Sequence, residues 1–567
     1  MYRNKKHNYP LYEVRPLSSL RELVDGAAAD FGDRPYVKYK KNGEVVEVSY
    51  KRFKQLVDSY GTQLCRLGIS SGHIAIIGDN CYEWLLSYVT ALNCDGVVVP
   101  IDKELPAADI AYILNTGDVD TVIYTGSMLQ KLTEAAKSAP DVKNFICMTA
   151  PKEGIPEGHL SMNDLIESGA ALLGQGDTSY TSITRDVDSL KQLLFTSGTT
   201  GLAKGVMLSE RNTVDNIRLA QQLMLITERC LSVLPYHHSY ESTHGLLTMM
   251  HHGMTVCINE SLRTFLPNLK LYKPTEMLVV PLFIENIYRR VWAQAEDSGK
   301  AGALRTLIKI SNALLKCGID LRKQLFASVT KNFGGELKCI ISGGAPMKAE
   351  TANFFESIGI VIINGYGITE CAPIVSVNRN EYHDNDSVGV PLPGSEIRID
   401  SPNENGEGEI CVKSSSVMLG YYKNPEATAE ALRDGWFHTG DMGKYDAERE
   451  LLYVTGRLKN LIVLNNGKNI YPEEIEALLS DCLLIADVVV CAQRDEDDSE
   501  TALCAVVYPD QDKLKELGQE ELEKQVRAFV TELNGKLPAY KLIKQVKFLD
   551  HEFEKTTTRK IKRKASY

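Results

Sequence analysis

The sequence predicts an α/β protein that is built from parallel, doubly wound sheets and divided into more than one domain. Its 567 residues exceed what a single hydrophobic core usually holds. Its N-terminal part alternates short apolar runs with helical patterns, a β–α–β rhythm that is typical of a parallel sheet. After residue 456 the pattern changes to that of a compact α+β unit.

Two stretches carry the β–α–β rhythm. In the first, a helical pattern from Tyr82 to Leu92 separates two short strands, and Pro100 is expected to end the second strand. In the later stretch, a helix around 349–358 separates two buried strands. Each of these strands is expected to end in a glycine-containing loop, where an open α/β sheet places its ligands. The four predicted strands are Ile74–Ile77, Val97–Val99, Cys339–Ile341 and Ile360–Ile363.

The last part of the chain has a different pattern. Residues 395–453 are rich in turn signals and predict antiparallel strands. A domain boundary is expected near residues 456–460. Beyond it, 461–467 predict a strand and a hairpin turn, and Pro472 is placed to begin a helix. A second helix is predicted from an apolar stripe that packs in the core, formed by Leu522, Val526, Phe529, Val530 and Leu533.

Composition argues against several classes of protein. The chain has 63 basic and 74 acidic residues, whereas nucleic-acid binders usually carry a basic surplus. No apolar run approaches the ~18 residues that a membrane span requires, and the N-terminus lacks the apolar core of a signal peptide. The 13 cysteines stand singly, without a Cys-x-x-Cys pair, which favours reduced thiols over a disulfide framework or a zinc knuckle. We therefore expect a cytoplasmic protein without a nucleic-acid partner or a transmembrane segment.

The segment from Leu194 to Val206 is the most informative in the chain. It follows an apolar run that predicts a strand, and it combines glycines, hydroxyls and one lysine, Lys204. Glycines let backbone N–H groups turn towards an anion, and the lysine adds a point charge. The Walker A spacing is absent. A solvated linker of this composition would rarely leave a buried strand, so the segment predicts phosphate binding.

Two further segments follow predicted strands. Glycines in Ser342–Pro346 let a flat ring or a chain lie against the backbone. In Asn364–Glu370, Tyr366 offers a face for stacking, and Glu370 offers a carboxylate suited to hold Mg²⁺ against phosphates. The alternative for Glu370 is a charge at a helix N-terminus, which its neighbours make the lesser interpretation.

An acidic and a basic residue lie close to each other in the sequence. Asp441 ends the segment Trp436–Asp441, where a tight turn is expected to hold it. A carboxylate in such a place can accept hydrogen bonds from two adjacent hydroxyls, as on a ribose. The segment Tyr453–Arg457 supplies an aromatic residue and a guanidinium close by in the sequence.

Together these segments resemble the adenylate-forming superfamily of acyl-CoA synthetases, nonribosomal peptide synthetase adenylation domains and luciferases. The pattern is closest to bacterial long-chain fatty acyl-CoA synthetases. Two more segments support it, Leu234–Glu241 and Thr556–Arg563, and six motifs follow the family order from about residue 194 to 563. Ala203 stands where the family loop often has proline. Glu241 stands where amino-acid-activating members have aspartate, so an ammonium group would lack its usual partner.

The resemblance implies a role for each matching residue. Lys560 bridges the acyl carboxylate and the α-phosphate, and His238 closes the carboxylate pocket; both are the implied catalytic residues. Glu370 and Thr196 are the implied metal ligands, and Lys459 is the implied hinge. The implied ATP- or AMP-binding residues are Thr196, Ser197, Gly198, Thr199, Thr200, Lys204, Gly343, Gly344, Ala345, Asn364, Gly365, Tyr366, Gly367, Thr369, Asp441, Tyr453 and Arg457, and the implied CoA-binding residues are Gly467, Lys468 and Asn469.

The resemblance also implies an architecture. Residues 1–456 would form an AMP-binding domain of two doubly wound α/β subdomains plus a small β-barrel-like region. Residues 457–567 would form a small, mobile α+β domain that rotates about Lys459 between the two steps of the reaction.

The implied reaction is ATP-dependent activation of a carboxylic acid to acyl-AMP, with release of pyrophosphate, followed by transfer of the acyl group to CoA. The expected acid is a medium- or long-chain fatty acid, and the expected cofactors are ATP, Mg²⁺ and CoA. One alternative is an acyl-AMP ligase that loads a carrier-protein phosphopantetheine. Another is a catalytically silent nucleotide-binding sensor, against which the retention of Lys204 and Lys560 argues. Peripheral contact with a membrane stays open, as does the choice between monomer and homodimer.

The role implied for Lys560 gives a direct prediction. Lys560→Ala should reduce acyl-AMP formation by ~10²–10³, because one well-placed cation no longer offsets the charge of two approaching anions. Thioester formation from supplied acyl-AMP should be retained. Pyrophosphate release measures the first step, and thioester formation from synthetic acyl-AMP measures the second. Equal damage to both steps would contradict this role.

Overall fold

The chain folds into two compact units that are interleaved along the sequence. In this computed structural model the described residues are 9–196, 203–345, 347–463, 469–494, 500–555 and 561–563. The first unit comprises Met1–Ile397, Val412–Phe437 and Ala447–Leu451, and the second comprises Arg398–Cys411, His438–Asp446 and Leu452–Tyr567. The boundary expected between residues 456 and 457 stays a prediction, because the second unit also takes up two earlier segments.

Helices alternate with strands through most of the first unit and recur in the second. The α-helices are α1 Leu20–Phe31, α2 Tyr50–Arg66, α3 Tyr82–Leu92, α4 Ala107–Thr116, α5 Leu129–Ala136, α6 Met162–Gly174, α7 Glu210–Leu223, α8 Met249–His252, α9 Phe265–Tyr272, α10 Pro281–Asp297, α11 Ala301–Lys316, α12 Arg322–Leu325, α13 Ala327–Thr330, α14 Ala349–Ser357, α15 Pro425–Ala431, α16 Pro472–Leu479, α17 Gln511–Leu517 and α18 Gln519–Asn534.

Most strands are short, as expected for buried strands between helices. Those of the two large sheets are β1 Pro35–Lys41, β2 Glu44–Ser49, β3 His73–Ile77, β4 Val97–Ile101, β5 Val119–Thr125, β6 Asn144–Thr149, β7 Leu160–Ser161, β8 Leu190–Thr196, β9 Lys204–Ser209, β10 Arg229–Ser232, β11 Thr255–Ile258, β12 Glu276–Val279, β13 Cys339–Ser342, β14 Val361–Gly367, β15 Ile374–Val377 and β16 Val390–Pro391.

The remaining strands include one, β19, that also joins a large sheet. They are β17 Glu396–Asp400, β18 Gly408–Lys413, β19 Gly420–Tyr421, β20 Leu432–Arg433, β21 Trp436–Asp446, β22 Leu451–Arg457, β23 Ile462–Val463, β24 Asn469–Ile470, β25 Ile485–Arg494, β26 Glu500–Pro509 and β27 Ile543–Phe548.

The two large sheets confirm the predicted α/β class. One has nine strands in the order β16-β15-β14-β13-β12-β10-β11-β1-β2. Its neighbours are parallel from β14 to β1 and antiparallel at both edges. The other has eight strands in the order β19-β9-β8-β4-β3-β5-β6-β7. It is parallel from β8 to β7, whereas β9 and β19 run antiparallel to their neighbours.

Both faces of the eight-stranded sheet are covered, as a doubly wound sheet requires. Side chains alternate across β3, so Ile74 and Ile76 pack in one apolar cluster while Ala75 and Ile77 pack in another. The first cluster also contains Val256 of the nine-stranded sheet. The two sheets therefore share one core, and their buried strands read as continuous apolar runs for this reason.

The prediction that Pro100 ends a strand is wrong. Strand β4 continues to Ile101, and Pro100 stays in register with Ile76 of β3. On its other side β4 is in register with β8 only at Val98. Proline lacks a backbone donor but otherwise fits an extended conformation, so it is tolerated where one neighbouring ladder has already ended.

The glycine-containing segment after Ile363 is also not the loop that was expected. Gly365, Tyr366 and Gly367 belong to β14 and pair antiparallel with β15. A side chain at Gly367 would place its Cβ 2.6 Å from the carbonyl oxygen of Pro373. Here glycine permits a close approach between two strands of the same chain.

Residues 395–453 form mainly a five-stranded sheet in the order β17-β18-β21-β20, with β22 paired to β21. In the described residues this order does not return to its first strand, so the β-barrel-like region is an open sheet. Strand β19 leaves the region and joins β9 instead.

The C-terminal elements agree with prediction. Helix α16 begins at Pro472, and β23 and β24 pair antiparallel. Four members of the predicted stripe in α18 are buried, and they pack with α16 against the sheet β25-β26-β27; these are Leu522, Val526, Val530 and Leu533. The hairpin turn at 465–467 lies outside the described residues.

A buried lysine connects β8 to the chain before β4. Lys191 is 1% exposed, and its ammonium group donates to the carbonyls of Cys94 and Gly96. Burial, followed by the nearby charge of Arg185, lowers the pKa of Lys191 to about 7 from 10.5. The unfolded chain therefore binds more protons than the folded protein between these two pH values, and stability should rise with pH across this window.

We predict that Lys191→Met removes this part of the pH dependence. In the unsubstituted protein the lysine should contribute a rise of up to about 1.4 kcal/mol per pH unit in the free energy of unfolding above pH 7. Urea unfolding at pH 7, 8 and 9 measures the difference in slope. The control is Lys300→Met at an exposed lysine, which should keep the slope. Parallel curves for the unsubstituted protein and Lys191→Met would contradict the assignment.

Candidate active site

A cation and a carboxylate meet around the side chain of Tyr421. The ammonium nitrogen of Lys204 lies 5.1 Å from the centroid of the Tyr421 ring. The Tyr421 hydroxyl donates a hydrogen bond of 2.8 Å to Oε1 of Glu370, which is 8% exposed. Burial and the charge of Glu370 raise the pKa of the Tyr421 hydroxyl, so it stays protonated and continues to donate. Two predicted site residues are thus joined by a third that the sequence did not single out.

Main-chain pairing with β9 places Tyr421. Strand β19 pairs antiparallel with β9, with Tyr421 opposite Val206. The flanking amides of Leu419 and Tyr422 donate to β9 carbonyls at 2.9 and 2.8 Å. Because Lys204 is the first residue of β9, the pairing of β9 with β19 positions both the Lys204 ammonium and the Tyr421 ring.

A side-chain clamp fixes the turn that carries Glu370. The amide nitrogen of Asn216 donates to the carbonyls of Cys371 and Ile374, each at 2.9 Å. Its oxygen accepts from the amide of Ile374 at 3.2 Å and lies 2.8 Å from Nε2 of His244. Burial lowers the pKa of His244 to about 3, so the ring is neutral. Asn216 and His244 therefore position Glu370. No sequence motif around either residue predicted this role.

The donor set around Glu370 fits Mg²⁺ and a phosphate. Thr196 and Lys204 are cross-strand partners at the two ends of the predicted phosphate loop. A hydroxyl and a carboxylate are the hard oxygen ligands that Mg²⁺ prefers. Within the described part of the chain Lys204 forms no ion pair, so its charge is available to an anion. Ser197, Gly198, Thr199 and Thr200 lie outside the described residues.

Unsatisfied polar groups lie where the parallel pairing of β13 with β14 ends. Ser342 and Asn364 are register partners on these parallel strands. Ser342 Oγ and Asn364 Oδ1 are buried without a hydrogen-bond partner in the described residues. A Cβ on Gly343 would lie 3.1 Å from the ring of Tyr240. This edge of the sheet, which also carries Gly344 and Ala345, is where an open α/β sheet binds ligands.

His238 stands in the turn that precedes an unusual helix. The backbone amide of Tyr240 donates to Nδ1 of His238 at 3.2 Å, so the ring proton is on Nε2. Residues Tyr240–Thr248 form a π-helix, a conformation frequent at functional sites. The hydroxyl of Tyr240 donates to the carbonyl of Ile341 at 3.3 Å, so the tyrosine connects this segment to β13.

Glu241 is not available to a charged substrate. It is 0% exposed, Ser232 donates to its Oε1, and Oε2 has no partner in the described residues. Burial raises the pKa of Glu241 to about 8, so the carboxyl is protonated at neutral pH. A Cβ on Gly245 would come within 2.5 Å of this carboxyl group, which explains the glycine one helical turn later.

The second unit contains the candidate ribose-binding pair. Nε of Arg457 lies 2.8 Å from Oδ1 of Asp441, and their side chains are 50% and 6% exposed. Asp441 lies within β21 and Arg457 ends β22, so the tight turn expected at Asp441 is wrong. Gly440 has φ 70° and bends the strand immediately before the acid. The ammonium nitrogen of Lys444 lies 5.3 Å from the centroid of the ring of Tyr453, a residue of β22.

A polar cluster on the strands around Asp441 was also not predicted from the sequence. Side-chain atoms of Glu409, Cys411 and His438 lie within 4.8 Å of one another. Nδ1 of His438 lies 2.8 Å from Oε2 of Glu409 and 3.4 Å from the Cys411 sulfur. Burial, more than any other cause, raises the pKa of the Cys411 thiol to about 11, and Arg398 hydrogen-bonds to it. Because the guanidinium of Arg398 already contacts the cluster, a bound cation would be repelled. We therefore interpret the cluster as a structural support for β21.

The residues assigned to the second step are only partly described. Lys459 is exposed and lies in a 3₁₀ turn, Leu458–Asn460, directly after β22. The amide of Asn460 donates to Glu473 of α16 at 2.5 Å. Asn469 lies in β24, and nothing is described of its side chain. Gly467 and Lys468 lie outside the described residues, as does Lys560, which the resemblance assigns to the first step.

Two family models match the chain. The model of the AMP-binding enzyme family matches residues 24–422, and that of the AMP-binding enzyme C-terminal domain matches residues 474–560. The chain belongs to the AMP-binding enzyme family. It is therefore an adenylate-forming enzyme, and ATP, Mg²⁺ and CoA are what the ligases of this family use.

The chain is similar to curated relatives along most of its length. It is 29% identical to a long-chain-fatty-acid–CoA ligase of Mycobacterium bovis, with 81% of this chain and 78% of the relative covered. It is 27% identical to a long-chain-fatty-acid–[acyl-carrier-protein] ligase of Arabidopsis thaliana, with 90% and 78% covered. The fold is similar to that of a fatty acyl CoA synthetase of Mycobacterium tuberculosis, with a TM-score of 0.65, 22% identity and 96% of both chains covered.

No helix in the described residues is long and apolar enough to cross a membrane.

The contact between Tyr421 and Glu370 gives a test of the metal site. Tyr421→Phe keeps the ring below Lys204 but removes the hydrogen bond that orients the Glu370 carboxylate. Groups that orient a metal ligand typically contribute tenfold or more to metal affinity, so we expect the Mg²⁺ concentration for half-maximal pyrophosphate release to rise about tenfold.

The neighbouring residue provides a matched control. The hydroxyl of Tyr422 donates to Asp118 at an exposed position, 2.7 Å away. Tyr422→Phe removes a hydroxyl of the same kind from the same strand end, and it should leave the Mg²⁺ dependence unchanged. An equal shift in both variants, or in neither, would contradict the role assigned to Tyr421.

Proposed function

We propose that the protein activates a medium- or long-chain fatty acid with ATP to acyl-AMP and then transfers the acyl group to the thiol of CoA. In this proposal it is a ligase that forms a carbon–sulfur bond. The observation that carries the proposal is the joining of Lys204 and Glu370 through Tyr421, because adenylation needs a cation for phosphates and a carboxylate for a metal ion in one place.

In the first step an oxygen of the substrate carboxylate attacks the α-phosphorus of ATP. The bond from this phosphorus to the bridging oxygen breaks, and pyrophosphate leaves. Lys204 would bind the phosphates, and Lys560 would lie between the two reacting anions. Glu370 and Thr196 would hold Mg²⁺, which supplies positive charge to the phosphate oxygens when bound. Asp441 would accept hydrogen bonds from the ribose hydroxyls, with Arg457 beside it.

His238 would orient the acid for this attack. Its Nε2 carries the ring proton and can donate to the substrate carboxylate. The π-helix that follows would keep the ring in place, because Tyr240 is tied to β13 and Glu241 to Ser232. The unsatisfied Ser342 and Asn364 would contribute polar groups at the same sheet edge.

In the second step the CoA sulfur attacks the acyl carbon of acyl-AMP. The carbon–sulfur bond forms, the bond from carbon to the phosphate oxygen breaks, and AMP leaves, while the thiol proton passes to solvent. We propose that rotation about Lys459 removes Lys560 and brings Gly467, Lys468 and Asn469 to the thiol. The exposed turn at 458–460 supports this assignment, because hinge residues are typically loop or element-terminal positions.

The preference for an uncharged chain rests on Glu241 and its surroundings. An ammonium-bearing substrate would need a charged partner, and the protonated, inward-facing Glu241 offers none. Strand β12 beside it is a core strand, since Met277 and Val279 are both 0% exposed. Val280 and the Tyr240 ring continue this apolar surface towards Gly343 and Gly344. Placing an unpaired ammonium there would cost several kcal/mol.

The acceptor needs its own experiment, because relatives of similar identity carry the names of CoA ligases and of an acyl-carrier-protein ligase. Pyrophosphate release should require only ATP, Mg²⁺ and the acid. Thioester formation should then be measured with CoA and, separately, with a phosphopantetheinylated carrier protein. We expect thioester with CoA; a product only on the carrier protein would favour the alternative.

Chain length tests the substrate. If the acyl chain enters an apolar site, each added methylene should contribute about 0.8 kcal/mol, or about fourfold in kcat/KM. Saturated acids from C4 to C18 should therefore give a rise that stops where the site ends. The measurement is pyrophosphate release at limiting acid. A flat or falling response from C4 to C12, or a preference for an amino or aromatic acid, would overturn the proposed substrate.

A further inference from the structure

The sheet β25-β26-β27 has two differently covered faces. Val488, Val490 and Leu503 point to one face and pack against α16 and α18. Val489, Cys504 and Val506 point to the opposite face, which Phe553 of the C-terminal segment covers. The partly buried residues Cys491, Tyr508, Leu549 and Ile561 complete this second cluster.

Two cysteines are direct neighbours on this second face. Cys491 of β25 and Cys504 of β26 are register partners on antiparallel strands. Directly opposed residues in such a pair have Cα atoms about 4.5–5.5 Å apart, inside the range that a disulfide spans. The Cys491 sulfur also lies 3.7 Å from the carbonyl oxygen of Cys504. The pairing of the two strands is therefore compatible with a disulfide between them.

The two thiols differ in acidity and in exposure, with Cys491 the more acidic and the more exposed. A hydrogen bond from Cys504 lowers the pKa of Cys491; the charges of Lys547 and Arg563 act in the same direction, whereas burial and Glu476 oppose it. Arg563 is held there, because it donates to the carbonyl of Val490 at 3.2 Å. Cys491 is partly exposed and Cys504 is buried. This is the arrangement of an attacking thiolate with a resolving partner.

We propose that Cys491 and Cys504 form a reversible redox site that closes to a disulfide when a peroxide is present. The Cys491 thiolate attacks one peroxide oxygen, the oxygen–oxygen bond breaks, and the departing hydroxide takes up a proton to leave as water. The Cys504 sulfur then attacks the resulting sulfenic acid, the sulfur–oxygen bond breaks, and a second water leaves. Two thiols and one hydrogen peroxide thus give one disulfide and two waters, and a dithiol reductant restores the pair.

The site packs against Phe553 and Ile561, which flank Lys560 in the sequence. Lys555 and Ile561 form an antiparallel bridge on either side of residues 556–560. The ammonium of Lys555 pairs with Asp487 of β25 at 2.6 Å, and Ile561 packs in the cluster that contains both cysteines. A disulfide would change the packing under Ile561. Resting on the proposed function, we infer that oxidation slows adenylation, since a small misplacement of a catalytic group is costly.

The modification is tested on the full-length protein by mass spectrometry. Hydrogen peroxide is added, free thiols are alkylated, and the protein is digested with trypsin without reduction. Arg494 lies between the two cysteines, so they fall in different peptides, and we expect a cross-link between the peptides that end at Arg494 and Lys513. Cys491→Ser and Cys504→Ser should each abolish it.

Two further variants serve as matched controls. Cys482 lies in the same tryptic peptide as Cys491, and Cys317 is an exposed cysteine. Cys482→Ser and Cys317→Ser should both keep the cross-link. A cross-link that persists in Cys491→Ser, or irreversible oxidation of Cys491 without a cross-link, would overturn the proposed site. Thermal unfolding of the reduced variants checks that each one folds.

Pyrophosphate release tests the consequence separately. In the oxidised enzyme it should fall about tenfold or more, and dithiothreitol should restore it; the Cys491→Ser/Cys504→Ser variant should keep its rate in peroxide. A cross-linked enzyme with an unchanged rate would overturn the link to adenylation. Absence of pyrophosphate release from the reduced enzyme with every acid would overturn the proposed function, while the cross-link would still decide the redox site.

Discussion

Strand β9 is paired on both sides, and the candidate active site of the first unit depends on that pairing. On one side β8 brings Thr196 opposite Lys204, at the two ends of the predicted phosphate loop. On the other side β19 brings Tyr421 under the Lys204 ammonium and against Glu370. Main-chain hydrogen bonds set these distances, so the site is pre-organised by backbone geometry and does not rely on flexible side chains finding one another.

Sequence reasoning proposes a site residue where its neighbours in the chain carry a recognisable pattern. Lys204, Glu370 and Asp441 each stand in a short run of glycines, hydroxyls or aromatics that indicates its role. Tyr421 and Asn216 give no such signal, because their roles come from partners far along the chain; Asn216 binds the carbonyl of Cys371 across 155 positions. Only the assembled sheets bring such residues together.

The errors in the sequence analysis have a common physical origin. The sequence predicts a strand end at Pro100, a loop at Gly365 and a tight turn at Asp441. In each case a neighbouring strand keeps the residue extended, so tertiary pairing overrides a local preference. The α/β class, by contrast, was predicted correctly because buried strands are read from continuous apolar runs, which do not depend on the details of a turn.

The buried carboxyl groups make the free energy of folding depend on pH. Burial raises the pKa of both Glu241 and Glu276 to about 8 from 4.5. Each is protonated in the folded protein and ionised in the unfolded chain between these values, so folding at neutral pH takes up protons at two places in the core. Lys191 does the reverse and gives up its proton on folding above pH 7. Between about pH 7 and pH 8 these two effects oppose each other. Folding therefore takes up fewer protons than the two carboxyl groups alone would require.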